Sequence, residues 1–151
     1  MQFRMVAAFA LIASSSLSAE AIPDLGTSVP IAGSWTYSAT SDGSEASFAN
    51  ASGVPQVIVR CARAARQVSI AKAATGAAPF VHVWTSSLTK SVASNFNPAT
   101  GRLTIDLSAT DPLLDALANS RGRFGIIVGT EPPLVIPAWA EAARVIEDCR
   151  A

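Results

Sequence analysis

Histidine occurs once in this chain of 151 residues, cysteine twice, and neither sign of charge is in surplus. Each scarcity removes a class of chemistry. With a single histidine, His82, both Ser-His-Asp and Cys-His catalysis would have to run through that one ring. No second histidine stands near it, and no cysteine or carboxylate lies at ligand spacing, so the sequence offers no transition-metal site. Carboxylates distant in sequence leave a calcium site open. No glycine-rich loop cradles a phosphate, since Gly122 and Gly125 do not form one, and no cofactor is implied. The balance of 11 basic against 11 acidic residues lacks the electrostatic footprint of a nucleic-acid binder or a basic membrane-surface protein. Beyond the amino end no apolar run approaches the length of a transmembrane helix.

The amino end itself carries the most specific signal. Arg4 supplies a positive charge, Met5 to Ala13 is an unbroken apolar run, and Ser14 to Ser18 interrupt it. Ala19-Glu20-Ala21 then places small residues three and one before a cut, where the peptidase pockets admit little else. The order of charge, run and cleavage site predicts a secretory signal peptide over 1–21, cleaved after Ala21. An apolar amino-terminal core helix is the alternative. Subtracting 21 from 151 leaves 130 residues, enough for one domain with a real core. Cleavage removes one charge of each sign, Arg4 and Glu20, and leaves the domain neutral. The expected location is the periplasm or the exterior, with no membrane span left after cleavage.

Export gives the cysteines a meaning. Cys61 and Cys149 would lie in an oxidising space, and a bond between them would close a loop of 88 positions. Free buried thiols, or a link to another chain, are the alternatives. The pair forms no CxxC redox motif.

Behind the signal peptide the pattern is mostly period two. Residues 22–34 carry two prolines and two glycines and read as an extended lead-in, with a single globular domain over 35–151. Trp35–Thr40 alternates large and small residues, Asp42-Gly43 signals a turn, and a strand around Phe48 returns from it. Gln56–Cys61 puts Val57, Val59 and Cys61 on one face, and Gln67–Ala71 answers across an exposed connection. Phe80–Thr85 has bulky side chains on both faces, which predicts a covered or central strand. Leu88–Val92 continues or pairs with it. After the turn at 97–101, Arg102–Ser108 alternates, with Leu103, Ile105 and Leu107 inward. Two short strands, Phe124–Val128 and Leu134–Ile136, flank a turn.

Two helices interrupt this background. Asp111-Pro112 pairs an N-cap acceptor with proline at the first helical position and predicts a helix over about 111–121. Arg121 suits its dipole, and Gly122 would stop it. The second spans about 138–149, opened by Pro137, with Trp139, Ala142, Ala143, Ile146 and Cys149 on one stripe. Both cysteines therefore face inward by independent periodicities, which favours their pairing and would staple the last helix to the sheet. The fold class expected is α+β, mainly antiparallel β as a curved sheet or sandwich, with two helices.

The candidate ligand-binding residues are His82, Trp84, Arg121 and Arg123; no catalytic set emerges. His82 shares a face with Phe80 and Trp84, where it reads either as a packed or rim residue or as a catalytic group. Ser69-Ile70-Ala71-Lys72 and Ser87-Leu88-Thr89-Lys90 match the SxxK acyl-enzyme motif. That chemistry needs serine and lysine one helical turn apart, and in period-two segments residues three apart point to opposite faces. Arg121 and Arg123 flank a glycine as an anion-binding corner would. A helix end whose arginines pair with Asp115 or Glu147 explains the same residues. Trp35, Tyr37, Trp84 and Trp139 read as core, or as the lining of a groove.

The segments VIVRCARAARQVSI, TSSLTKSV, DPLLDALANSRGRF and PAWAEAARVIEDCR resemble a group of small exported proteins of Gram-negative proteobacteria. The likeness covers most of the chain past residue 21. It implies a periplasmic location and a shared fold, and it carries no activity or functional residue. The reading that results is an exported, non-enzymatic binding or interaction module for an envelope protein, an extracellular protein or a small ligand. A small envelope hydrolase using His82 is one alternative. An inhibitor of a foreign hydrolase, presenting the loop Thr130–Pro133, is the other.

Overall fold

A computed structural model describes residues 21–151; the expected signal peptide, Ala21 apart, lies outside the described residues. Ten strands and two helices follow: β1 (Gly33–Thr40), β2 (Gly43–Asn50), β3 (Pro55–Ala62), β4 (Gln67–Ala73), β5 (Phe80–Trp84), β6 (Thr89–Ala93), β7 (Asn95–Asn97), β8 (Arg102–Ser108), α1 (Pro112–Ala118), β9 (Arg123–Ile127), β10 (Leu134–Pro137) and α2 (Ala140–Asp148). Every pairing is antiparallel. One sheet runs β1-β2-β3-β4-β8-β7 and the other β10-β9-β5-β6. The fold is α+β and mainly antiparallel β, as the alternating pattern implies.

The alternation explains the core. Val57, Val59 and Cys61 of β3, Val68 and Ile70 of β4, and Leu103, Ile105 and Leu107 of β8 are all buried. They share one cluster with Val81 and Val83 of β5, with Phe124 and Ile126 of β9, and with Leu113, Leu114 and Leu117 of α1. Burying each such side chain contributes about 1.5–3 kcal/mol relative to leaving it in water. α2 packs on β1, β2 and β3, and its Ala142, Val145 and Ile146 enter the same core. Cys149, just past α2, is bonded to Cys61, with their Cα atoms 5.4 Å apart. The inward directions read from two unrelated periodicities thus meet in one covalent link.

The lead-in is part of this packing. Leu25 is buried with Trp84, Ile127 and Val135 in a second, smaller cluster on the outer face of the four-stranded sheet. Gly125 makes room for it: a Cβ there would fall 2.1 Å from Leu25 Cδ1. Further along, the Ile31 N–H donates to Val135 O at 2.9 Å, and β1 starts at Gly33.

Both helices are shorter than the sequence suggests. α1 ends at Ala118, where Asn119 caps it by donating its side-chain amide to Asp115 O at 2.9 Å. Gly122 does adopt a positive φ of 73°, but in the turn leading to β9, and Arg121 lies beyond the helix. α2 begins at Ala140 because Pro137 ends β10 and does not open the helix. Trp139 is therefore the extended N-cap residue and stands 48% exposed, off the buried stripe. Periodicity assigns a residue to a face only where the backbone is helical: Cys149 keeps helical dihedrals just past α2, and Trp139 is extended.

Candidate functional site

The register of the four-stranded sheet decides which named residues meet. His82 pairs with Ile127 and Ser91, Trp84 with Gly125 and Thr89, and Arg123 with Pro137. Side chains alternate along a strand, so His82, Trp84 and Arg123 lie on one face, the face that the lead-in crosses. Leu25 covers Trp84, which contributes packing there. The Arg123 guanidinium donates to Ser28 O and fastens the lead-in at the turn that Leu25 begins. Three of the four residues singled out in the sequence thus share a face, two of them engaged in holding the lead-in.

His82 remains partly open. It lines a cleft of about 330 Å³ with Ile22, Pro23, Ile127, Thr130 and Glu131, and with Ala21, which the expected cleavage would remove. The walls are mostly apolar, with imidazole, hydroxyl and carboxylate groups among them, the composition of a ligand pocket. His82 Nδ1 lies 2.5 Å from Ser91 Oγ. Ser91 escapes the sequence reading because only the strand register sets it opposite His82. Glu131 is held by Lys72 Nζ at 3.1 Å, so no described carboxylate is bonded to His82 as a triad would require. The same contact ties down the loop Thr130–Pro133, whose Glu131 N–H also donates to Val128 O at 3.0 Å.

Arg121 sits elsewhere. Its backbone N–H donates to Ser86 Oγ at 3.0 Å, and the Ser86 N–H donates in turn to Ser120 Oγ at 3.0 Å. These two serines clip the loop after β5 to the turn before β9. Asp115 and Glu147, the carboxylates suggested for Arg121 and Arg123, are instead paired with Arg150 Nη1, at 2.7 and 3.7 Å. The anion corner is not assembled either, since Arg123 is turned to Ser28. Both SxxK matches are broken up as well. Ser69 donates to Asp106 at 2.6 Å, Lys72 serves Glu131, and Lys90 pairs with Asp111 at 2.7 Å.

A second recess lies beside β1, about 430 Å³ and lined by Tyr37, Ala140, Glu141 and Arg144. The Arg144 guanidinium stacks 4.0 Å above the Tyr37 ring, a cation–π contact. Tyr37 Oη donates to Asp148 at 2.7 Å. That bond, helped by the charges of Arg144 and Arg63, holds the Asp148 carboxyl below its ordinary pKa against the opposing effect of burial. Of the four large aromatics, Trp35 joins the core beside Phe48 and Phe124, Trp84 packs under Leu25, Tyr37 borders the recess and Trp139 faces solvent.

Among the described residues no group of three or more histidine, cysteine or acidic side chains is placed to hold a metal ion. No helix among them is long and apolar enough to cross a membrane. Comparison with family models, with curated proteins and with solved structures finds no match.

Proposed function

We propose that the chain is an exported, non-enzymatic binding module of the periplasm or exterior, and that its ligand enters the cleft at His82. The observation that carries the reading is the cleft itself. It is a concave, mainly apolar recess in which an imidazole and a carboxylate stand at the wall without forming a catalytic set. The signal-like amino end and the disulfide support the compartment, as does the resemblance to small exported proteobacterial proteins. Binding is tested by titrating the purified protein with a library of small apolar acids, amines and short peptides while its amide NMR spectrum is followed. Shifts confined to His82, Ile127 and Thr130, and lost in His82→Ala, are expected. Shifts scattered over the surface, or none, would count against this cleft.

The Ser91–His82 contact favours one second reading, a small hydrolase with Ser91 as nucleophile and His82 as its base. A fluorophosphonate probe distinguishes the two: stoichiometric labelling of Ser91 would make the chain an enzyme. The binding-module reading expects no labelling above that of Ser91→Ala.

A further inference from the structure

Four strands form the edges of the two sheets, and three of them are blunted. β7 has three residues and runs into Pro98. β6 has five residues and carries Lys90. β10 ends in Pro137 and already accepts the Ile31 N–H on Val135 O. Short length, lysine, proline and a covering segment are the devices by which sheets avoid growing. Among the described residues β1 has none of them. It spans eight residues, GSWTYSAT, with no charge, no proline and no bulge in its pairing with β2.

The free groups can be counted. Thr40 and Gly43 close a two-residue turn, and in an antiparallel ladder hydrogen-bonded and open pairs alternate from there. Even-numbered residues of β1 bond to β2. The Ala51 N–H donating to Ala32 O, one step beyond the strand, continues that phase. Gly33, Trp35, Tyr37 and Ala39 therefore turn their N–H and C=O groups outward, and no described residue bonds them.

We infer that β1 pairs antiparallel with β1 of a second copy, joining two six-stranded sheets across a two-fold axis at Thr36. An isologous pair needs a self-complementary edge, and β1 meets this in three ways. First, the outward-facing residues oppose one another when Trp35 lies across from Tyr37 and Gly33 from Ala39, which fixes the phase. Second, that register sets Thr36 on Thr36 and Ser34 on Ser38, so only hydroxyl side chains meet on the outer face, a favourable cross-strand combination. Third, the recess beside β1 carries one acid and one base, Glu141 and Arg144, and the two-fold brings the recesses together with opposite charges available to each other. A register centred on Tyr37 would instead bring the two Arg144-capped rings together. Strands are spaced about 4.8 Å apart, so the α2 helices, lying over β2 of each copy, would stand about 14 Å apart. That exceeds a helix diameter of about 10–12 Å, leaving room for Tyr37 and Arg144 between them. This inference does not depend on the His82 cleft, which lies on the other sheet.

Sedimentation equilibrium of the purified protein tests it, with Thr36→Lys, Thr36→Glu and Ala39→Pro. The unmodified chain is expected to sediment at twice the monomer mass. Each charged variant should weaken self-association about fivefold or more, since like charges then face each other across the axis. Mixing the two should restore the dimer. Ala39→Pro removes an outward N–H without touching the β1–β2 ladder, and should also give monomers with unchanged circular dichroism. A monomeric unmodified chain, with the edge then left for a strand of some other protein, would overturn the inference. So would a dimer indifferent to all three substitutions, or charged variants that stay monomeric when mixed.

Discussion

Asp111 carries two duties with one carboxylate. Oδ1 accepts the Leu113 N–H at 2.9 Å and caps α1, while Oδ2 takes Lys90 Nζ at 2.7 Å. A helix of seven residues is too short to persist on its own propensity, so cap and buried leucines must hold it. Partial burial pushes the Asp111 pKa up. The Lys90 hydrogen bond, the Leu113 N–H and the Lys90 charge outweigh that and leave the carboxyl below its ordinary value. Asp111→Ala should therefore cost about 1–2 kcal/mol in urea denaturation at neutral pH. Asp111→Asn, which keeps the cap and loses a part-buried ion pair, should cost less than Asp111→Ala, about 1 kcal/mol. Because the folded-state pKa is depressed, the stabilisation from ionised Asp111 is complete above the unfolded value of about 3.9 and vanishes as pH falls through the folded one. The gap between the native chain and Asp111→Ala should accordingly narrow when the same titration is run near pH 3.

Among the elements, the lead-in carries one buried side chain, Leu25, beside its backbone bonds to Arg123 and Val135. Leu25 fills the space left by Gly125, so Leu25→Ala should cost about 2 kcal/mol or more and uncover Trp84. The expected signature is a red-shifted tryptophan emission and faster hydrogen exchange at Ile31, with the amides of β3 and β4 unchanged. Gly125→Ala should loosen the same segment from the opposite side. This contact also marks where the sequence stops being legible. Val57, Val59 and Cys61, or Leu103, Ile105 and Leu107, declare their face by repetition. Leu25 is one apolar residue among turn formers, with no period to assign it, and its partners lie some 60 to 110 positions onward. Ser91 meets His82 through a register that neither strand encodes alone. Trp139 fits a helical stripe by spacing but falls just before the helix, since Pro137 completes a strand. Of the candidate site, His82, Trp84 and Arg123 were legible as chemistry. Their common face, and the segment lying across it, follow only from pairing β5 with β9.

For the whole molecule the consequential feature is how late in the chain the core closes. α2 is the last element, and it packs on β1, β2 and β3, the first three. Nothing local holds it there: Trp139 gives no side-chain cap. Its attachments include the buried Ala142, Val145 and Ile146, the Tyr37–Asp148 hydrogen bond, Arg144 over the Tyr37 ring, Arg150 on Asp115 and Ala109 O, and the Cys61–Cys149 bond. Closing a loop of 88 positions in the unfolded chain corresponds to about 4–5 kcal/mol by chain entropy. The double variant Cys61→Ala, Cys149→Ala should lose a large part of that in denaturant titration, with little change in the native spectrum. If α2 is held mainly by the bond, exchange in α2 should rise ahead of global unfolding, while exchange in β4 and β8 follows the global transition. Exchange rising uniformly would mean that the apolar stripe alone keeps α2 in place. The untreated protein should be two hydrogens lighter than the reduced chain in intact mass. Free thiols there would remove the link and, with it, the support this architecture gives to an oxidising compartment.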